Sequence, residues 1–181
     1  MRFEALPAFA GEEDLVHVVV ECPRGAAVKL KYEPALGAFS LVFVPSTLAD
    51  DGDPLDALVL LDVPTYPGTV LRCRPVAVVR ATQRAGATRV HNDRIVAVAR
   101  EDRRATHIVD LADVPERSRS ELDAFFRAAV TYEDKDLELH GWGDAAEARR
   151  VVEAAVARRA GAIGGSRSGL WDRARSKKSR R

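Results

Sequence analysis

The chain has 181 residues, of which 46% are hydrophobic and 30% charged, with a formal net charge of +1. That suits one domain with a real apolar core, and it excludes both a charge-rich disordered chain and one drawn to nucleic acid or membranes by bulk charge. No run of about 18 apolar residues offers a helical membrane span, and the first residues lack the basic-then-apolar pattern of a secretion signal, so a cytoplasmic location is expected.

In chain order, Leu15 to Glu21 and Val28 to Tyr32 are rich in β-branched or alternating apolar residues and are predicted as strands, with Pro23-Arg24-Gly25 as the turn between them. The period of two puts Lys29 and Lys31 on one face. Ala38 to Val44 is the next strand, and Pro45 ends it. Beyond an acidic stretch, Ala57 to Val63, Thr69 to Arg80 and Arg94 to Arg100 continue the pattern, with Gln83 to Thr88 as a turn-rich connector. Cys22 and Cys73, too few for a disulfide framework, fall in these strands as small core residues. Short strands punctuated by Gly and Pro argue for a small barrel or sandwich.

Two helices follow. Pro115 suits a first helical turn with Asp113 as its cap, and Leu122, Phe125, Phe126, Ala129 and Val130 make one apolar face. The second is capped by Asp144, presents Ala148, Val151, Val152, Ala155 and Val156, and is expected to stop near Gly161. From there the composition turns to Gly, Ser, Arg and Lys, which predicts a disordered basic tail over 161–181 behind a domain over 1–160. Such a tail is foremost solubilising; recruitment of a polyanion is its alternative use.

The chemistry concentrates in Asp50-Asp51-Gly52-Asp53-Pro54-Leu55-Asp56, which leads directly into the apolar run from Ala57. Carboxylates this close repel one another, and a hard cation such as Mg²⁺ removes the conflict. Gly52 and Pro54 shape a turn that the following strand fixes at a sheet end. A solvated acidic loop is the bland alternative. A calcium EF-hand is excluded: counted from Asp51, loop positions five, six and twelve are Leu55, Asp56 and Asp62, where an oxygen ligand, Gly and Glu are required.

The hexad Asp51 to Asp56 with its apolar continuation closely resembles the signature of the soluble family I inorganic pyrophosphatases. Pro67-Gly68-Thr69-Val70-Leu71-Arg72-Cys73-Arg74-Pro75-Val76 resembles the strand that follows the signature in bacterial members. Glu21-Cys22-Pro23, Lys31-Tyr32-Glu33, Asp113-Val114-Pro115, Phe125-Phe126 and Gly141-Trp142 fall in family order. The similarity covers roughly residues 13 to 160.

The resemblance implies an α+β, mainly β fold: a small OB-like β-barrel flanked by two C-terminal helices, commonly assembled as a homo-oligomer. It implies hydrolysis of inorganic pyrophosphate to phosphate with Mg²⁺, which neutralises the substrate and lowers the pKa of the attacking water. Carried onto matching positions, Asp51 and Asp56 are metal ligands, Asp53 orients or deprotonates the nucleophile, Glu21 holds metal-bound water and Glu33 belongs to the outer acidic shell. Lys31 neutralises a phosphate oxygen, and Arg94 stands where the family usually has a phosphate-binding Lys.

The chain also departs from the family. Between Val44 and the acidic turn only Pro45-Ser46-Thr47-Leu48-Ala49 remains, without the phosphate-clamping Arg and the Tyr-rich segment found there in relatives. Of two connector aspartates that bind metal, the first is matched by Gln83 and the second by Asn92 or, if the register shifts, by Asp93. After Phe125-Phe126 the family's Tyr-Lys pair is replaced by Ala129-Val130. Losing several cationic donors predicts weakened hydrolysis, because phosphoryl transfer depends on positioning and charge neutralisation. The alternative function is an impaired relative that binds metal or phosphate without turnover.

Overall fold

In the computed structural model, which describes residues 3–12, 14–23, 39–61, 64–129 and 136–178, the alternating apolar segments become strands β1 (Val16–Cys22), β2 (Phe39–Val44), β3 (Leu55–Leu60), β4 (Val70–Ala85), β5 (Thr88–His91), β6 (Arg94–Ala99) and β7 (Glu138–Gly143). The helices are α1 (Glu116–Ala129) and α2 (Ala145–Lys178). The expected strand over Val28 to Tyr32, and with it Lys31 and Glu33, lies outside the described residues.

The sheet order is β1-β2-β3-β6-β4-β5, with β7 on β4, and β1 also pairs with β4. That last pairing closes β1, β2, β3, β6 and β4 into an uneven ring. All pairings are antiparallel except β3 with β6, which is parallel. The mainly β fold with two helices agrees with the sequence expectation. β4 is 16 residues long and serves four neighbours in turn. Pro75 sits in it at the register shift between Pro75 and Ala77 against β6, where a missing N–H is tolerated.

Continuous apolar runs in β3 and β6 bury both of their faces. Leu55, Ala57, Val59, Ile95, Ala97 and Ala99 turn into the ring and meet Ala148, Val152 and Ala155 of α2. Leu58, Val96 and Val98 face the other way, onto Leu122, Phe125 and Phe126 of α1. Each helix therefore covers one side of the same parallel pair. Both cysteines are buried as thiols. Burial, seconded by the charge of Glu101, pushes the Cys73 thiol well above its ordinary range.

Several boundaries differ from the sequence reading. β3 starts at Leu55, not Ala57, because Val44 pairs with Leu55 and carries the ladder into the acidic turn. Gln83 is a strand residue of β4, since the connector tightens into a hairpin with Ala85 opposite Thr88. β7 was not anticipated; its exposed positions break the apolar alternation. Asp113 does not cap α1. It forms a reciprocal capping box with Asp110 around a 3-10 turn, Leu111–Asp113, accepting from Val109 and Asp110 N–H at 3.0 Å each. Asp144 does cap α2, accepting from Glu147 N–H at 2.8 Å.

α2 also continues through Gly161 to Lys178, past the expected stop. Gly161 is absent from the glycines with positive φ, so it forms no left-handed cap. No Pro follows, and an interior Gly costs only about 1 kcal/mol against Ala, which flanking Ala160 and Ala162 offset. No helix among the described residues is long and apolar enough to cross a membrane.

Candidate active site

The acidic turn is held at the head of β3 by local chemistry. Thr47, 3% exposed, donates its hydroxyl to Val44 C=O at 2.6 Å and accepts from Leu55 N–H at 2.9 Å, bridging the end of β2 to the start of β3. Ala49 N–H donates to Asp53 C=O at 2.8 Å, and Gly52 adopts φ +93°, a conformation that favours glycine. From the far side, α2 clamps the loop: Leu48 N–H donates to Ala155 C=O at 3.0 Å, and Arg158 meets Asp50 at 2.9 Å.

Within the turn, Asp51 Oδ1 accepts from Asp53 N–H at 3.1 Å, and Asp51 Oδ2 accepts from Gln83 Nε2 at 3.2 Å. Asp53 itself is exposed. The parallel register aligns Ala57 with Ile95, so the residues just before them, Asp56 and Arg94, stand side by side. Arg94 Nη2 lies 3.5 Å from Asp56 Oδ2, its Nη1 donates to Asn92 C=O at 2.5 Å, and its guanidinium sits 5.3 Å from the centre of the Phe126 ring. Stacking and the backbone contact fix this cation, whose side chain is 14% exposed, while leaving it only loosely paired with Asp56.

The structure thus brings together Asp51, Asp53 and Gln83, and separately Asp56 with Arg94. It does not bring Asp93 to them. Asp93 Oδ1 accepts from Ala81 N–H at 3.0 Å, and its side chain lines a cavity of about 240 Å³ with Asp50, His91 and Arg158 against α2. Strand alternation explains the separation, because Asp93 and Ile95 share the α2 side while Arg94 faces α1. Glu21 is exposed at the register shift between Val20 and Cys22, two strands from Asp56 around the ring. Lys31 and Glu33 lie outside the described residues.

Among the described residues, no three His, Cys, Asp or Glu side chains are grouped so as to hold a metal ion. What the turn does offer is oxygen. Asp51 lies against Gln83, which is 5% exposed and whose Oε1 has no hydrogen-bond partner among the described residues. Such a donor set fits a hard divalent cation.

Residues 18–160 match the family profile described as inorganic pyrophosphatase. The chain belongs to the inorganic pyrophosphatase family. It is 36% identical over 174 residues to the inorganic pyrophosphatase of Thermus thermophilus, spanning 87% of this chain and 97% of that one. It is 38% identical over 155 residues to that of Leifsonia xyli, spanning 77% and 93%. The crystal structure of the Thermus thermophilus inorganic pyrophosphatase superposes with a TM-score of 0.75 at 34% identity, covering 88% of this chain and 99% of that one.

Sequence reasoning missed three parts of this pyrophosphatase-family site: the Thr47 bridge, the Gln83 contact with Asp51, and Phe126 as a platform for Arg94. Thr47 between Pro45 and an acidic turn reads as generic loop. The unbroken period of two from Val79 into Gln83 was the signal that would have put Gln83 on a strand.

Proposed function

We propose that this chain hydrolyses inorganic pyrophosphate to phosphate with Mg²⁺, as a divergent and slow member of its family. The observation that carries the reading is the Asp51 to Asp56 turn, built rigidly onto β3 with Arg94 fixed beside it. In this reading Asp51 and Asp56, with Glu21 and Glu33, supply carboxylates toward metal and its water shell. Metal held there would supply charge neutralisation of the diphosphate and a lowered pKa for the attacking water. Asp53, exposed on the turn, takes the proton of that water. Arg94 would present its guanidinium to a phosphate oxygen, and Lys31 would add a second positive charge. Asp93 fastens the β4–β5 hairpin through Ala81, and Asn92 takes the neighbouring position toward the site.

Residues 1–160 form the pyrophosphatase-like domain in this reading, and 161–181 a basic appendage. An OB-like barrel, a cytoplasmic location and a homo-oligomer follow from the same family likeness. The test is phosphate release from pyrophosphate by the purified chain, with and without millimolar Mg²⁺, beside Asp53→Asn. Metal-dependent release that the substitution abolishes supports the reading, and release no higher than the Asp53→Asn control overturns it.

A second reading is favoured by buried neutral amides: Gln83 and Asn92 are 5% and 4% exposed where the family resemblance puts carboxylates. It is a protein that binds metal or phosphate without turnover. Metal affinity retained in the absence of phosphate release selects it.

A further inference from the structure

The net charge of +1 conceals a division. Residues 1–160 carry 21 Lys or Arg against 26 Asp or Glu, while 161–181 carry seven Lys or Arg against Asp172 alone. Six of those seven fall between Arg173 and Arg181. This basic segment lies beyond the stretch, 18–160, that matches the family profile. It is carried on α2. Among the described side chains of that helix the last buried one is Ala155, and the positions from Ala157 to Ile163 are exposed or half-buried, Ile163 at 49%. The helix runs on to Lys178, about 35 Å past Ala155 at 1.5 Å per residue. Four glycines between 161 and 169 each cost such a helix about 1 kcal/mol, so propensity does not account for the extension.

We propose that 161–181 is an arm that binds single-stranded nucleic acid, its five arginines and two lysines serving the phosphate backbone and Trp171 stacking on a base. Arginine predominates, and its planar fork matches phosphate oxygens where a lysine offers a point charge. An aromatic placed directly before a basic run suits a single strand, because every base has a face to stack. At 3.6 residues per turn, the positions of Arg173, Arg175, Lys177 and Lys178 spread over about 200° of the helix circumference. A strand that wraps the arm can serve them all, whereas a flat acidic protein face reaches one side. A membrane is disfavoured, since Ile163, Leu170 and Trp171 are the only large apolar residues of the segment and make too small a face to anchor it. Nucleotidyl transfer onto a strand releases diphosphate: the terminal hydroxyl oxygen bonds to the α-phosphorus of a nucleoside triphosphate, and the bond from that phosphorus to the bridging oxygen breaks. An arm on the strand therefore holds hydrolysis where its substrate is released. That consequence, unlike the binding itself, rests on the pyrophosphatase reading.

The test uses the full chain and a fluorescein-labelled DNA single strand, followed by anisotropy without pyrophosphate or metal. Binding at roughly micromolar concentration is expected, with log affinity falling against log salt at a slope of about −4 for six phosphate contacts. Arg173→Glu, Arg175→Glu, Lys177→Glu and Lys178→Glu made together should weaken it by at least roughly 10²-fold. Trp171→Ala should weaken it by at least roughly fivefold. No binding by the wild type, or equal binding by the fourfold variant, overturns the proposal. So does a Trp171→Ala variant that binds as the wild type does, or inorganic polyphosphate that competes as well as the strand at equal charge, because either shows that the bases contribute nothing. Arm-dependent binding without phosphate release leaves this inference standing and removes the hydrolytic one, and phosphate release without binding does the reverse.

Discussion

Two arginines on neighbouring strands meet carboxylates in contrasting ways. On β4, Arg80 grips Glu147 of α2 with both Nε and Nη2 at 2.6 Å, a bidentate fork that locks helix to sheet. On β6, Arg94 is held by a carbonyl and an aromatic ring and stands 3.5 Å from Asp56 through one nitrogen. The first cation is spent on structure. The second is fixed in position with charge left to offer, which is what a site for an anionic substrate needs, since preorganised donors cost no reorganisation when the anion arrives.

Removing each arginine should break the comparison in opposite directions. Arg94→Met is expected to lower kcat/KM for pyrophosphate by about 10²-fold, with urea unfolding nearly unchanged. A loss of stability without a loss of turnover would reassign Arg94 to structure.

Glycine 143 sharpens the other side. A Cβ there would approach the Glu147 carboxylate and come within 2.8 Å of Val78 Cγ1. Gly143→Ala should therefore prise Glu147 from Arg80 and cost about 1–3 kcal/mol in urea unfolding, while Asp53 chemistry per folded molecule is retained.

Arg80→Met, which deletes the fork without adding bulk, should cost less. The pair is partly exposed, with side chains 42% and 27% accessible, so solvent screening keeps the loss below that of Gly143→Ala. Phosphate release should be unchanged.

The smallest effect is in acid. The Arg80 hydrogen bond draws the Glu147 carboxyl below its usual range, Arg89 does the same for Asp136, and the Ala145 and Leu111 N–H groups do so for Asp110. Each folded carboxyl is the stronger acid, so the unfolded chain binds more protons as pH falls. The stability these groups contribute is complete above their unfolded values of about 4 and is lost as pH falls through the lowered folded ones. Thermal melts from pH 6 to 3 should show that decline, and Arg80→Met should shrink it. An identical slope in the variant would show that Glu147 contributes nothing to it.

Much of the site was legible because its chemistry is local. Three aspartates spaced around Gly52 and Pro54, before an apolar run, point to an acidic turn fixed at a sheet end, and the structure places it at the head of β3. Asp144 was readable as a cap because capping acts over three residues. Asp113 was misread because a competing partner, Asp110, sits just three residues upstream and takes it into another turn.

The sequence by itself determined the mainly β class, the two helical stripes and the acidic turn, since alternation, the 3.6-residue period and turn chemistry are all set by near neighbours. Only the tertiary structure decided which residues share the site. The parallel register of β3 with β6 sets Arg94 against Asp56, the hairpin brings Gln83 to Asp51, and the turn of one residue along the chain sends Asp93 to the opposite face. These are pairings between strands distant in the sequence. A shift of one residue there reverses every side chain, and nothing local to either strand fixes it.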